Sequence, residues 1–114
     1  MMMQETIDLD GLSREDISEF SSHVQEATDF LKALAHETRL MILCLLSEGE
    51  KTVSELEAKV RQPQAIVSQQ LARLRAEEIV KTRREGRQIY YSIARAEIVT
   101  VVRALHTMFC AGHM

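Results

Sequence analysis

At 114 residues, with 46% apolar and 27% charged side chains, the chain has the size of one small folded domain and too much apolar content for intrinsic disorder. Its two cysteines, Cys44 and Cys110, exclude a disulfide-stapled secreted framework and a zinc ribbon. No apolar run is long enough to span a bilayer, no signal-peptide pattern opens the chain, and the expectation is a cytoplasmic protein with no membrane association. The net charge of −3 hides a sharp asymmetry: residues 61–87 hold seven basic and three acidic side chains, +4, so the remainder carries −7.

In chain order, residues 1–12 (MMMQETIDLDGL) are acidic and lack a sustained period, and are expected to be a flexible N-terminus. A first helix can be capped at Ser13, with Glu15 and Asp16 in its first turn. Ile17, Phe20, Val24, Ala27, Leu31 and Leu34 form one apolar stripe along it. The second helix, His36–Ser47, contains LMILCLL and is apolar on every side. It is therefore expected to be the buried central helix, ending near Gly49.

A third helix begins at Thr52, with Val53, Leu56 and Val60 inward. The break at Gln62-Pro63 opens a fourth, since proline suits a first helical turn. That fourth helix directs Ile66, Val67, Leu71 and Leu74 inward and Gln64, Ser68, Gln69 and Arg73 outward, with Gln70 further round. Two strands follow, Val80–Arg84 and Gln88–Ile93, turning around Glu85-Gly86. A last helix over Ala94–Phe109 aligns Ile98, Val101, Val102, Leu105 and Phe109, and residues 111–114 are expected to be a flexible C-terminus.

Helix, turn, helix and basic hairpin together describe a winged helix-turn-helix over residues 13–110, mainly α with a small β wing. Such a unit reads double-stranded DNA. Gln64, Gln69 and Arg73 suit base edges, Gln toward adenine and Arg toward guanine, while Ser68 serves base or phosphate. Arg83, Arg84 and Arg87 on the wing suit the phosphate backbone, and Tyr90 and Tyr91 stiffen the hairpin. The apolar stripes of the first and last helices exceed what so small a domain covers alone, which predicts a homodimer through those two helices.

The run PQAIVSQQLARLRAEEIVKTRREGRQIYYSI resembles the recognition helix and wing of the ArsR family of bacterial repressors. ALAHETRLMILCLL is similar to that family's second helix, where a segment of the type LAHPTRLRIL is usual. The likeness runs continuously from about Phe30 to Ile93 and implies a dimeric repressor that leaves operator DNA on meeting its inducer. The Cys-x-Cys pair usual in arsenic and lead sensors is missing from the start of the Thr52–Val60 helix. The zinc sensors' Asp-x-His pattern is also missing.

The last helix does offer Glu97, His106, Cys110 and His113. His106, Cys110 and His113 with Cys44 leave a zinc-type metal-responsive repressor as the alternative. Cys44 and Cys110 look like the cysteine pair of the family's persulfide-sensing branch. The resemblance therefore implies redox sensing by Cys44 and Cys110, a reactive sulfur species as inducer, and no cofactor. On the residues alone, Cys44 reads as a small buried apolar side chain, and sensing enters only with the resemblance. No Cys-x-x-Cys, Gly-rich phosphate loop or base-plus-orienter set points to an enzyme.

Overall fold

The computed structural model describes Gly11 and residues 13–110; the rest of the two expected tails, and His113, lie outside the described residues. Contacts divide the chain into one unit ending at Lys32 and another beginning at Ala33. The first unit is built on α1 (Arg14–Leu34). Its start is closed reciprocally: Asp16 N–H donates to Ser13 Oγ at 3.1 Å and Ser13 N–H donates to the Asp16 carboxylate at 3.3 Å. Ile17, Val24 and Leu31 of the expected stripe are exposed.

The second unit runs through α2 (Glu37–Leu46), β1 (Lys51–Thr52), α3 (Val53–Val60), α4 (Gln64–Ala76), β2 (Val80–Glu85), β3 (Gln88–Ile93) and α5 (Ala96–Phe109). Its centre is apolar and dry. Ile42 and Leu43 of α2, Leu56 of α3, Val67, Leu71 and Leu74 of α4, and Ile98 and Val102 of α5 are all less than 2% exposed. Truncating such residues to alanine costs about 2–5 kcal/mol, so this cluster holds α3 and α4 in place.

Local chemistry sets each boundary. Thr52 caps α3 in a capping box with Glu55, and Arg61 ends it at φ 61, ψ 38 with its N–H on Glu57 O. Helix α4 ends in a Schellman arrangement: Glu78 sits at φ 59, its N–H meets Arg75 O at 3.0 Å, and Ile79 N–H meets Leu74 O at 2.9 Å. This turn aims the chain directly into β2. Ala94 N–H then returns to Ile79 O at 2.9 Å, tying the end of the wing to the end of the reading helix. At the wing tip Glu85 pairs with Gln88, and Gly86 takes φ 63 at the first of the two loop positions, where the II′ hairpin turn favours glycine.

Several sequence expectations change in detail. The sheet has three antiparallel strands in the order β1-β3-β2, with Lys51 opposite Tyr91 and Thr52 opposite Tyr90. A two-residue strand is too short to show alternation, so only pairing reveals it. Helix α2 is not buried all round. Ile42, Leu43 and Leu46 face the core, whereas Met41 is exposed and Leu40 and Leu45 are half-buried. An unbroken apolar run carries no phase, so it cannot tell which side of the helix the other elements cover. His36 and Ser47 cap this helix rather than extend it, and α5 starts two residues later than expected.

Candidate functional site: a basic reading face and a thiol pair

Helix α4 presents Gln64, Ser68, Gln69 and Arg73 at the surface, together with Ala65, Ala72 and Arg75. Its N-cap is Pro63, which makes no side-chain cap hydrogen bond. Ile66 N–H bonds back to Pro63 O at 3.0 Å, so among the described residues only the Gln64 and Ala65 amides of the first turn are left without an acceptor. Gln70 turns the other way. It is 8% exposed, and its Oε1 has no hydrogen-bond partner among the described residues.

The three wing arginines are not equivalent. Arg83 donates from Nη2 to Glu50 at 2.5 Å and from Nη1 to Glu85 at 2.6 Å, and its guanidinium lies 4.5 Å over the Tyr90 ring. The two carboxylates raise the Arg83 pKa, and its hydrogen bond holds the Glu50 carboxyl below the usual range. Its charge is therefore already compensated. Arg84 and Arg87 are exposed and make no ion pair among the described residues. A displaced phosphate counterion needs a free cation, so Arg84→Ala should flatten the salt dependence of DNA binding by roughly 0.9 in logarithmic slope. Arg83→Ala should flatten it much less. Binding isotherms across a salt series compare the two, and equal slopes would refute the distinction.

Nothing in the sequence marks Glu50 as the Arg83 partner, because the two stand 33 positions apart and meet only when β1 joins the sheet.

The thiols belong to the elements behind this face. Cys44 is half-buried in the last turns of α2, and its carbonyl accepts from Ser47 Oγ at 2.6 Å. Cys110 closes α5 and is exposed, with its N–H on His106 O at 2.8 Å. Both are free thiols. Helices α2 and α5 pack against each other. A cleft of about 320 Å³ between them is lined by Cys44, Ser47, Glu48, Arg103, His106 and Thr107. His106 lines the cleft, and Cys110 follows it by one turn at the exposed end of α5. Burial raises the Cys44 pKa above that of a free thiol, and the charge of Cys110 pushes it further. Among the described residues no three His, Cys, Asp or Glu side chains gather as a metal site, and His113 of the alternative set lies outside them.

Comparison with known proteins places this geometry. Residues 36–82 match the pattern of the bacterial regulatory protein, arsR family. The biofilm growth-associated repressor of Xylella fastidiosa (strain 9a5c) is 43% identical over 100 residues, covering 88% of this chain and 85% of that protein. This chain belongs to the ArsR family.

Two solved structures of relatives share the fold of this ArsR protein. The transcriptional repressor BigR from Xylella fastidiosa superposes with a TM-score of 0.76 at 42% identity, over 90% of this chain and 98% of that one. Reduced HlyU from Vibrio cholerae N16961 superposes with a TM-score of 0.77 at 36% identity, over 81% and 97%. The ArsR protein is thus a winged-helix DNA-binding regulator and not an enzyme, in agreement with the sequence expectation. No helix among the described residues is long and apolar enough to cross a membrane.

Proposed function

We propose that this ArsR protein is a homodimeric repressor whose hold on operator DNA is released when Cys44 and Cys110 become joined through sulfur. The observation that carries this reading is the placement of two free thiols on packed helices: Cys44 half-buried in the wall of the cleft between α2 and α5, and Cys110 exposed at the end of α5, one turn after His106 of the same cleft. Relatives named as a biofilm growth-associated repressor and as a reduced form of HlyU support both halves of it. The exposed apolar side chains of α1 and α5 (Ile17, Val24 and Leu31; Met108 and Phe109) supply the surface for the second copy. Two copies related by a two-fold axis set their α4 helices in successive major grooves, roughly 34 Å apart. There Gln64, Ser68, Gln69 and Arg73 meet base edges while Arg84 and Arg87 meet phosphates, with Arg83 bracing the wing.

The chemistry balances with an organic trisulfide as the sulfur donor. Exposed Cys110, as thiolate, attacks the middle sulfur and expels one small thiolate, leaving a mixed trisulfide on the protein. Cys44, as thiolate, attacks the same sulfur and expels the second. The products are a Cys110–S–S–S–Cys44 bridge and two reduced small thiols; the protein thiols lose two electrons and two protons, and the donor gains them. A longer bridge suits thiols whose Cα atoms lie beyond the roughly 7 Å limit of a plain disulfide.

Mass spectrometry and gel shift of the same samples test the proposal. Donor-treated protein should gain the bridge and lose the operator together. A treated protein that carries the bridge and still binds DNA would refute it. The pH profile provides a further prediction. Because the Cys44 pKa is raised, its thiolate fraction keeps growing above the pH at which an ordinary thiol is half ionised. Bridge closure, followed after Cys110 has been loaded with sulfur, should therefore keep accelerating from pH 7 to above about pH 8.5, the usual thiol pKa, by about tenfold per pH unit at the lower end. A plateau below pH 8 would show that Cys44 is not the resolving thiol.

A further inference from the structure

The cleft beside the thiols is more elaborate than a thiol pair requires. Arg103 of α5 donates from Nη2 to the carbonyl of Ser47 at 3.0 Å, which fastens the guanidinium to the C-terminal end of α2. A guanidinium has five N–H donors in a fixed fork. Arg103 makes no ion pair among the described residues, so most of that fork faces outward unpaired beside Cys44. The other lining groups are hydrogen-bonding: the Ser47 and Thr107 hydroxyls and the His106 ring. Glu48 brings the one carboxylate of the lining, and it lies 3.7 Å from Lys51 on its own side of the cleft.

The volume, about 320 Å³, equals about ten waters. A peroxide needs neither that space nor a cation.

We propose that this cleft binds the carboxylate of a low-molecular-weight thiol's trisulfide or longer polysulfide, with Arg103 as the anchor that positions the reacting sulfur between the two thiols. The inference rests on the sulfur-bridging reading above and names the inducer class: an anionic, amino-acid- or peptide-borne sulfur donor rather than a neutral oxidant. Carboxylate and guanidinium pair in fork geometry, which fixes orientation as well as affinity. Arg103 is a positioning residue here and does not touch the sulfur being transferred.

S-methylglutathione, whose thioether cannot exchange sulfur, separates binding from reaction. Titrated into the reduced full-length protein and followed by NMR, it should move the amide signals of Ser47 and Thr107. Arg103→Gln should weaken this binding on the order of fivefold, the scale of one solvent-accessible ion pair, and Arg103→Lys should restore part of it. The dimethyl ester of the probe, lacking both carboxylates, should not bind. In a parallel reaction Arg103→Gln should slow sulfur transfer from glutathione trisulfide and leave transfer from dimethyl trisulfide unchanged.

Absent shifts, equal binding by the ester, or an Arg103→Gln protein slowed equally with both donors would overturn the cleft assignment. Sulfur transfer without probe binding defeats this assignment alone. Probe binding without transfer to either thiol from any donor defeats the donor assignment together with the switch beneath it.

Discussion

Reduced Cys44→Ser and Cys110→Ser proteins should bind operator DNA as tightly as the parent chain, and both should stay bound under a sulfur donor that strips the parent off. The first half follows from location: neither thiol is on α4 or the wing, and serine is close in volume to cysteine. The second half follows from stoichiometry, since a bridge needs both ends. Linking α2 to the end of α5 constrains two helices that help form the core beneath α4, and in the proposed dimer a shift there would change how the two α4 helices match two grooves. Couplings between such sites are typically about 5–150-fold in affinity, so the parent should lose binding on that scale and the variants should lose none. Fluorescence anisotropy with labelled operator, before and after treatment, measures it. Release by either serine variant would remove that residue from the switch.

Arg73→Ala should weaken operator binding by about 5- to 150-fold, the range for losing one bidentate contact to a guanine. The same change should leave binding to unrelated duplex DNA nearly untouched, because base contacts specify whereas phosphate contacts only position. Arg73 is exposed and lies outside the buried cluster, so the thermal unfolding midpoint should hardly move. The contrast with Arg84→Ala is informative. That variant should weaken specific and non-specific binding alike and reduce their salt dependence together. If Arg73→Ala weakens both kinds of DNA equally, Arg73 belongs with the phosphate contacts.

Most of the secondary structure was legible because it follows from local rules. The Ser13 cap, the proline opening α4, the glycine in the wing turn and the 3.6-residue stripes each act within a few positions of themselves. The outward placement of Gln64, Ser68, Gln69 and Arg73 followed from the same periodicity, and all four are exposed. The features that escaped detection are the ones with distant partners. Glu78, not a glycine, takes the left-handed turn after α4, held by bonds to Leu74 and Arg75 carbonyls and by the sheet that follows. Strand β1 exists only because β3 lies beside it, and the Arg83–Glu50 pair exists only because β1 does.

By itself, then, the sequence determined the order of helices and strands, the face of α4 that meets solvent, the basic stretch and the family resemblance, since each depends on neighbouring residues and a repeating period. Tertiary structure alone decided which side of the apolar run in α2 is covered, that Arg83 is neutralised while Arg84 and Arg87 have no ion pair among the described residues, and that Cys44, Arg103 and His106 share one cleft. Those are meetings between side chains up to 62 positions apart, and only the folded core brings them together.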